Sequence, residues 1–204
     1  MESLRILVAD DEPLIALSLT AMLKKAGHKV VACVHSGHEA VEQTKVLSPD
    51  LILMEIKMGD LDGIEATRRI LAHNPVPVVT MTGQSHLELI EKAEAAGVSG
   101  FLVKPITEDD LIPALLLARS RFKQLQALTH EVMTLKETIK NQKLIAQAKG
   151  IIMQKERLTE AEAYQLIQRQ SRNDNIPMAK LAEAIITADK LLNPKKPERN
   201  SPAH

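Results

Sequence analysis

The chain has 204 residues, with 26 basic and 26 acidic side chains, 45% hydrophobic residues, one cysteine, one tyrosine, two phenylalanines and no tryptophan. That length holds one large or two small domains, and the apolar fraction is ample for a core. No apolar run approaches the roughly 18–20 residues of a membrane-spanning helix, and Met1-Glu2-Ser3-Leu4-Arg5 has no basic segment leading into a long apolar one, so a cytoplasmic protein with no membrane partner is expected. Cys33 cannot form an internal disulfide, and its apolar neighbours predict a small core residue.

In chain order, short β-branched runs at Leu4–Ala9, Lys29–Val34, Leu51–Met54, Val76–Met81 and Phe101–Val103 predict strands. Helix-period segments at 13–26, 36–47, 64–73, 86–96 and from 107 onward separate and follow them, with Pro13, Gly27, Gly63 and Gly97 near the boundaries. Parallel neighbours need crossover helices, so this alternation predicts an α/β fold: a doubly wound, five-stranded parallel sheet. Beyond Thr107 there is no strand signal. Leu125, Leu128, Val132, Leu135 and Ile139 follow 3-4-3-4 spacing, which predicts a dimerising coiled coil; packing on the chain's own domain is the alternative. Two further helices are expected over 159–172 and 178–192, the first opened by the Thr159–Glu162 capping-box pair, followed by a disordered tail from Asn193.

The zero net charge hides an asymmetry. Residues 1–121 carry 12 basic and 17 acidic side chains, 122–142 carry 3 and 2, and 143–204 carry 11 and 7. An acidic front and a basic rear suggest different partners, and the rear is compatible with a polyanion.

In a sheet of this kind, ligands gather at the carboxyl ends of the strands. Asp10 and Asp11 follow the first strand, Glu55 the third, Thr82 the fourth and Lys104-Pro105 the fifth. Three close carboxylates repel one another unless a cation such as Mg²⁺ or the Lys104 ammonium lies among them. A hydroxyl and an ammonium opposite them suit an anionic oxygen group.

Over residues 4–120 the chain resembles the receiver domains of two-component response regulators. The resemblance rests on Val8-Ala9-Asp10-Asp11-Glu12, Leu53-Met54-Glu55-Ile56-Lys57-Met58, Asp62-Gly63, Thr80-Met81-Thr82 and Phe101-Leu102-Val103-Lys104-Pro105. It implies a flavodoxin-like fold in which Asp10, Asp11 and the Lys57 carbonyl bind Mg²⁺ together with position 55, Thr82 and Lys104 contact a phosphoryl group, and Phe101 is a switch aromatic. The family's phosphoacceptor is an aspartate, whereas this chain has Glu55, and Gly59 stands where proline is usual. Glutamate projects up to about 1.5 Å further. It is therefore expected to mimic the phosphorylated state or to mark loss of phosphorylation control.

Residues 143–192 resemble the ANTAR domain, a three-helix module that binds RNA and promotes transcription antitermination, through Ala148-Lys149-Gly150, Ala163-Tyr164 and the Arg169–Asn173 stretch. Ser171 stands where alanine is frequent. Lys149, Gly150, Gln154, Arg169, Arg172, Asn173 and Lys180 are the candidate RNA contacts: cations for phosphates, amides for bases, and a glycine for close approach. Tyr164 is expected in the core, and Gly150, which costs roughly 1 kcal/mol against alanine inside a helix, is expected to pack closely.

The expected organisation is a receiver over 1–121, a coiled-coil linker helix over 122–142, the RNA-binding module over 143–192 and a tail over 193–204. The expected protein is a homodimeric, non-enzymatic response regulator that binds paired hairpins in nascent RNA, with a sensor histidine kinase as an open upstream partner. A DNA-binding regulator and a receiver acting through a protein partner are the alternatives. No catalytic residues are expected, and the seven histidines are taken as surface residues.

Overall fold

The computed structural model describes residues 2–59, 61–83 and 87–193. Five strands, β1 Arg5–Ala9, β2 Lys29–Val34, β3 Leu51–Glu55, β4 Val78–Thr82 and β5 Gly100–Val103, form one parallel sheet in the order β2-β1-β3-β4-β5. Between and after them lie α1 Pro13–Lys25, α2 Gly37–Leu47, α3 Gly63–His73, α4 Leu87–Ala95, α5 Glu108–Glu156, α6 Glu160–Asn173 and α7 Met178–Leu192. The chain divides after Ala127 into two compact units, and α5 is one continuous helix of 49 residues that contributes to both.

The first unit is layered as strand periodicity dictates, because successive side chains point to opposite faces. Ile6, Val8, Leu51, Leu53, Val79 and Met81 meet Leu19 and Leu23 of α1 and Leu111 and Leu115 of α5. Leu7, Ala9, Ile52, Met54 and Val78 meet Ala40 of α2 and Ala66 and Ile70 of α3 on the other side. Both faces of the central strands are thus covered, and their sequences read as unbroken apolar runs. At roughly 25 cal/mol per Å² of apolar surface removed from water, these two clusters are the main source of the unit's stability.

Two glycines fix connections. Gly27 adopts a positive φ of 84° directly after α1, a conformation that lets the chain reverse into β2 at little steric cost. At Gly63, a Cβ would lie 2.0 Å from the Glu55 carbonyl oxygen, so any other residue would force the start of α3 away from the end of β3. That approach holds the loop after Glu55. Asp62 caps α3 by accepting from the Ile64 N–H at 2.7 Å.

Three expectations about individual side chains are corrected. Cys33 is exposed, because β2 is an edge strand and its apolar run faces protein on fewer sides than those of β1 and β3. His28 is buried rather than on the surface. Its Nδ1 accepts from the Leu4 N–H at 3.3 Å, and burial holds its pKa below the usual histidine value, with Arg119 pushing the same way. Tyr164 is 41% exposed.

Several element ends also differ: β3 runs one residue further, through Glu55, and β4 is displaced to Val78–Thr82. Position 86, expected to open the fourth helix, lies outside the described residues, as does the tail beyond Asn193.

In the second unit, Ala148 from the end of α5, Ile167 from α6 and Ala182 and Ile186 from α7 form a small core, with Leu144, Ile145, Ile151, Ile152, Met178, Leu181 and Ile185 packed around it. Alanines at the centre let three helices approach closely. The capping box at the start of α6 is formed as expected: Thr159 caps Glu162 N–H, and the Glu162 carboxylate accepts from the Thr159 N–H at 2.8 Å. Hydrogen bonds donated by the Thr159 hydroxyl and the Thr159 N–H hold the Glu162 carboxyl below the ordinary glutamate range.

Candidate functional site

Parallel strands end together, so β1, β3 and β4 deliver Asp10, Glu55 and Thr82 to one rim of the sheet, and the residue after β5 adds Lys104. Asp10 is fully buried and Glu55 is 4% exposed. Lys104 lies between them, its Nζ 2.9 Å from Asp10 Oδ2 and 2.6 Å from Glu55 Oε2, with Glu12 Oε1 at 3.6 Å. The other oxygens are held by the backbone: Asp10 Oδ1 accepts from the Glu12 N–H at 2.9 Å and Glu55 Oε1 from the Lys57 N–H at 3.0 Å. Burial pulls the Lys104 pKa down, but the close approach of the Glu55 and Asp10 carboxylates and their negative charges outweigh it, so the ammonium is held above its ordinary value.

An open cavity of about 480 Å³ adjoins this triad, lined by Asp11, Glu12, Glu55, Lys57, Thr82, Gly83 and Lys104. The sequence-predicted residues Asp11, Glu55, Lys57, Thr82 and Lys104 therefore share one pocket, with Asp10 beneath it. Phe101 is half-buried and packs against the cluster of Ile56, Ile64, Ala93 and Ala96.

The donors around Asp10 are all oxygens, as a hard dication prefers, and Asp10 Oδ2 is buried without a hydrogen bond of acceptable geometry although Lys104 is within ion-pair range. The residues fit Mg²⁺ in that respect. Among the described residues, however, no three of His, Cys, Asp and Glu form a ready metal cluster; the Lys104 ammonium lies between the two buried carboxylates.

In the second unit the candidates divide by location. Arg169, Arg172 and Asn173 line a recess of about 610 Å³ along α6, together with Leu158, Glu162, Gln165, Leu166 and Gln168. Lys149 is engaged elsewhere: its Nζ is 2.5 Å from Glu160 Oε1 and 6.0 Å from the centre of the Tyr164 ring. Gly150 is exposed, and a Cβ there would meet nothing within 4 Å, so the expected close packing is absent among the described residues. Gln154 on α5 and Lys180 on α7 are exposed and do not line the recess. Sequence reasoning missed Gln165 and Gln168. Their signal was the polar spacing 162, 165, 168/169, 172, which marks one face of a helix.

The heptad residues Leu125, Leu128, Val132, Leu135 and Ile139 are all exposed, as is every residue from 123 to 140. Among the described residues, no helix is long and apolar enough to cross a membrane.

Comparison with known proteins agrees with both units. Residues 6–116 match the response regulator receiver domain family and residues 133–186 the ANTAR domain family. The transcriptional regulatory protein PdtaR of Mycobacterium tuberculosis is 40% identical over 182 residues, covering 89% of each chain. The chemotaxis protein CheY of Thermotoga maritima is 31% identical over 112 residues, 54% of this chain and 93% of that one. Among solved structures, the receiver domain of a modulated diguanylate cyclase from Desulfovibrio desulfuricans superposes with a TM-score of 0.56 at 29% identity, covering 60% of this chain and 98% of that one. With matches over both units in one order, and a relative similar along nearly its whole length, the chain belongs to the response regulators that join an N-terminal receiver domain to a C-terminal ANTAR domain.

Proposed function

We propose that this protein is a cytoplasmic, non-catalytic regulator that binds paired hairpins in nascent RNA through residues 143–192 and promotes antitermination. The receiver, over 1–121, controls pairing of two copies along 122–142. The observation that carries the RNA reading is the charge state of α6. Glu160 is paired with Lys149, Glu162 is bonded to Thr159 and Asp174 accepts from Gln170, whereas Arg169 and Arg172 have no ion pair among the described residues. Two guanidinium groups whose acidic neighbours are already engaged suit phosphates. The test is a mobility shift at matched salt: full-length protein retards a tandem stem-loop RNA and leaves duplex DNA of the same length unshifted. A DNA shift without an RNA shift favours the DNA-binding alternative, and a shift with neither removes the nucleic-acid reading.

Glu55 supports constitutive mimicry of phosphorylation. Its carboxylate reaches Lys104 directly at 2.6 Å, the lysine that the family resemblance gives to the phosphoryl group. Both Glu55 oxygens are already engaged, and in-line transfer tolerates little displacement of the acceptor, about 1 Å. Mg²⁺, held by Asp10, Asp11 and the Lys57 carbonyl, would neutralise part of the negative charge in the pocket. With a small phosphodonor and Mg²⁺, the wild type is expected to gain no acid-labile mass and Glu55→Asp to gain one phosphoryl group per chain. Stoichiometric labelling of Glu55 itself contradicts the mimicry.

A further inference from the structure

A separate recess of about 290 Å³ opens in the receiver at the N-terminal edge of the sheet, the end away from Asp10 and Glu55. Buried Pro49, Val76 and Pro77 and half-buried Phe122 line it, and α5 adds Arg119 and Lys123. We propose that this recess is a ligand site for a small aromatic monocarboxylate. The ring covers Phe122 and the prolines, and the carboxylate rests on Arg119 and Lys123. Phe122 and Lys123 open the exposed stretch of α5, so a bound acid ties the first turn of that spacer to the receiver and gives the protein an input that does not pass through Glu55.

The backbone of this edge offers a ligand little. Prolines carry no N–H, the Asp50 N–H is donated to the Arg5 carbonyl at 2.7 Å, and the Pro77 carbonyl accepts from the Ile52 N–H at 3.0 Å. Polar recognition therefore falls to α5. Arg119 already holds one carboxylate, that of exposed Glu2, on which Lys123 also acts. Exposed pairs of this kind contribute little, so an incoming acid can take the place of Glu2. Asp50 also lines the recess, but its Oδ2 accepts from the Arg5 N–H at 2.7 Å, and the Arg5 guanidinium donates to the Leu47 and Ser48 carbonyls beside it. Phe122 has no place in the pairing seam: Leu128 and Leu125 step back by the same spacing to Arg121 and Ala118, and Phe122 falls beside them. A flat apolar ring gains by covering its face, whereas a bare phosphate loses hydration against this floor. The volume is close to the lower end of the roughly 300–1,000 Å³ typical of small-ligand sites, which favours a single-ring ligand.

The test uses full-length protein with benzoate and 3-phenylpropanoate as probes, benzamide as the uncharged counterpart and inorganic phosphate as the bare anion. Affinities are measured by ligand-observed NMR, phosphate by its displacement of benzoate, for the wild type, Lys123→Glu and Phe122→Leu. Lys123 is exposed, so its substitution disturbs no core, and leucine keeps an apolar side chain at 122. Thermal melts check the fold, and should Phe122→Leu fail to fold, the charge variant and the benzamide comparison still decide. Hydrogen exchange with and without 3-phenylpropanoate locates the site.

Both acids are expected to bind the wild type, with benzamide at least about tenfold weaker, Lys123→Glu about tenfold weaker toward the acids alone, and Phe122→Leu weaker toward acids and amide alike. Exchange is expected to slow in segments 74–78 and 119–127. No binding by either acid at about 10 mM, acid and amide bound equally, phosphate displacing benzoate at comparable concentration, or Lys123→Glu binding the acids like the wild type overturns the site. Protection of segment 74–78 that is lost on dilution without any probe assigns the recess to a second copy of the chain and overturns it as well.

Discussion

Replacing Leu128 and Val132 with glutamate is expected to lower affinity for a two-hairpin RNA by at least about a hundredfold, with affinity for a single hairpin nearly unchanged. The two side chains are 59% and 47% exposed on α5, in line with Leu125, Leu135 and Ile139, so the substitutions disturb no core of their own chain. A seam of this spacing buries itself only against a second helix, and carboxylates at its centre face each other across that interface. Two modules held together meet the second hairpin at an effective concentration in the millimolar range for short linkers, an advantage of about 10²–10⁴ that separate chains lack. Light scattering should report a monomeric mass for the variant, and titration with one-hairpin and two-hairpin RNAs should separate avidity from local contact. A dimeric variant, or a monomer that binds both RNAs as tightly as the wild type, contradicts the arrangement.

The second large effect is expected at Lys104. Lys104→Met keeps much of the side chain's volume but leaves Asp10 and Glu55 buried without their cation, and breaking a buried pair from one side costs about 3–5 kcal/mol. The receiver's melting temperature should fall by on the order of 10 °C. Adding Glu55→Gln removes one of the two stranded charges and should recover much of the loss. A variant that melts with the wild type at neutral pH would show that the triad contributes little to the fold.

The pocket was readable from sequence because parallel strands of similar length put their last residues at one rim. Once Leu51–Met54 and Val76–Met81 are taken as strands of one parallel sheet, Glu55 and Thr82 fall on the same rim, the pairing of β3 with β4 brings them close, and an end misplaced by a residue or two does not change which side chains meet. The details of exposure were not readable in the same way. Cys33 lies in an apolar run, but a run on β2 means something different from a run on β3, because strand order decides how many sides are covered. Tyr164 has core residues one position before and three after it, Ala163 and Ile167, yet the α6 core is narrow enough that a rotation of about 100° per residue carries the ring out beside Lys149. His28 shows the reverse. Its burial follows from the return of the chain after Gly27 to the Leu4 backbone, a contact between residues 24 apart that no local pattern announces.

Gln165 and Gln168 were passed over for a different reason. Attention to charge selects Arg169 and Arg172, and a glutamine carries none; only the shared recess gives the amides a reason to be where they are.

The uninterrupted α5 has a thermodynamic consequence between residues 123 and 140, where all side chains face solvent. Helices in water draw most of their stability from a packed face, and an isolated stretch of this length is marginal. In a solitary chain that spacer should therefore fray and reform rapidly, and the proposed pairing of two copies along it would make association and spacer ordering a single thermodynamic step.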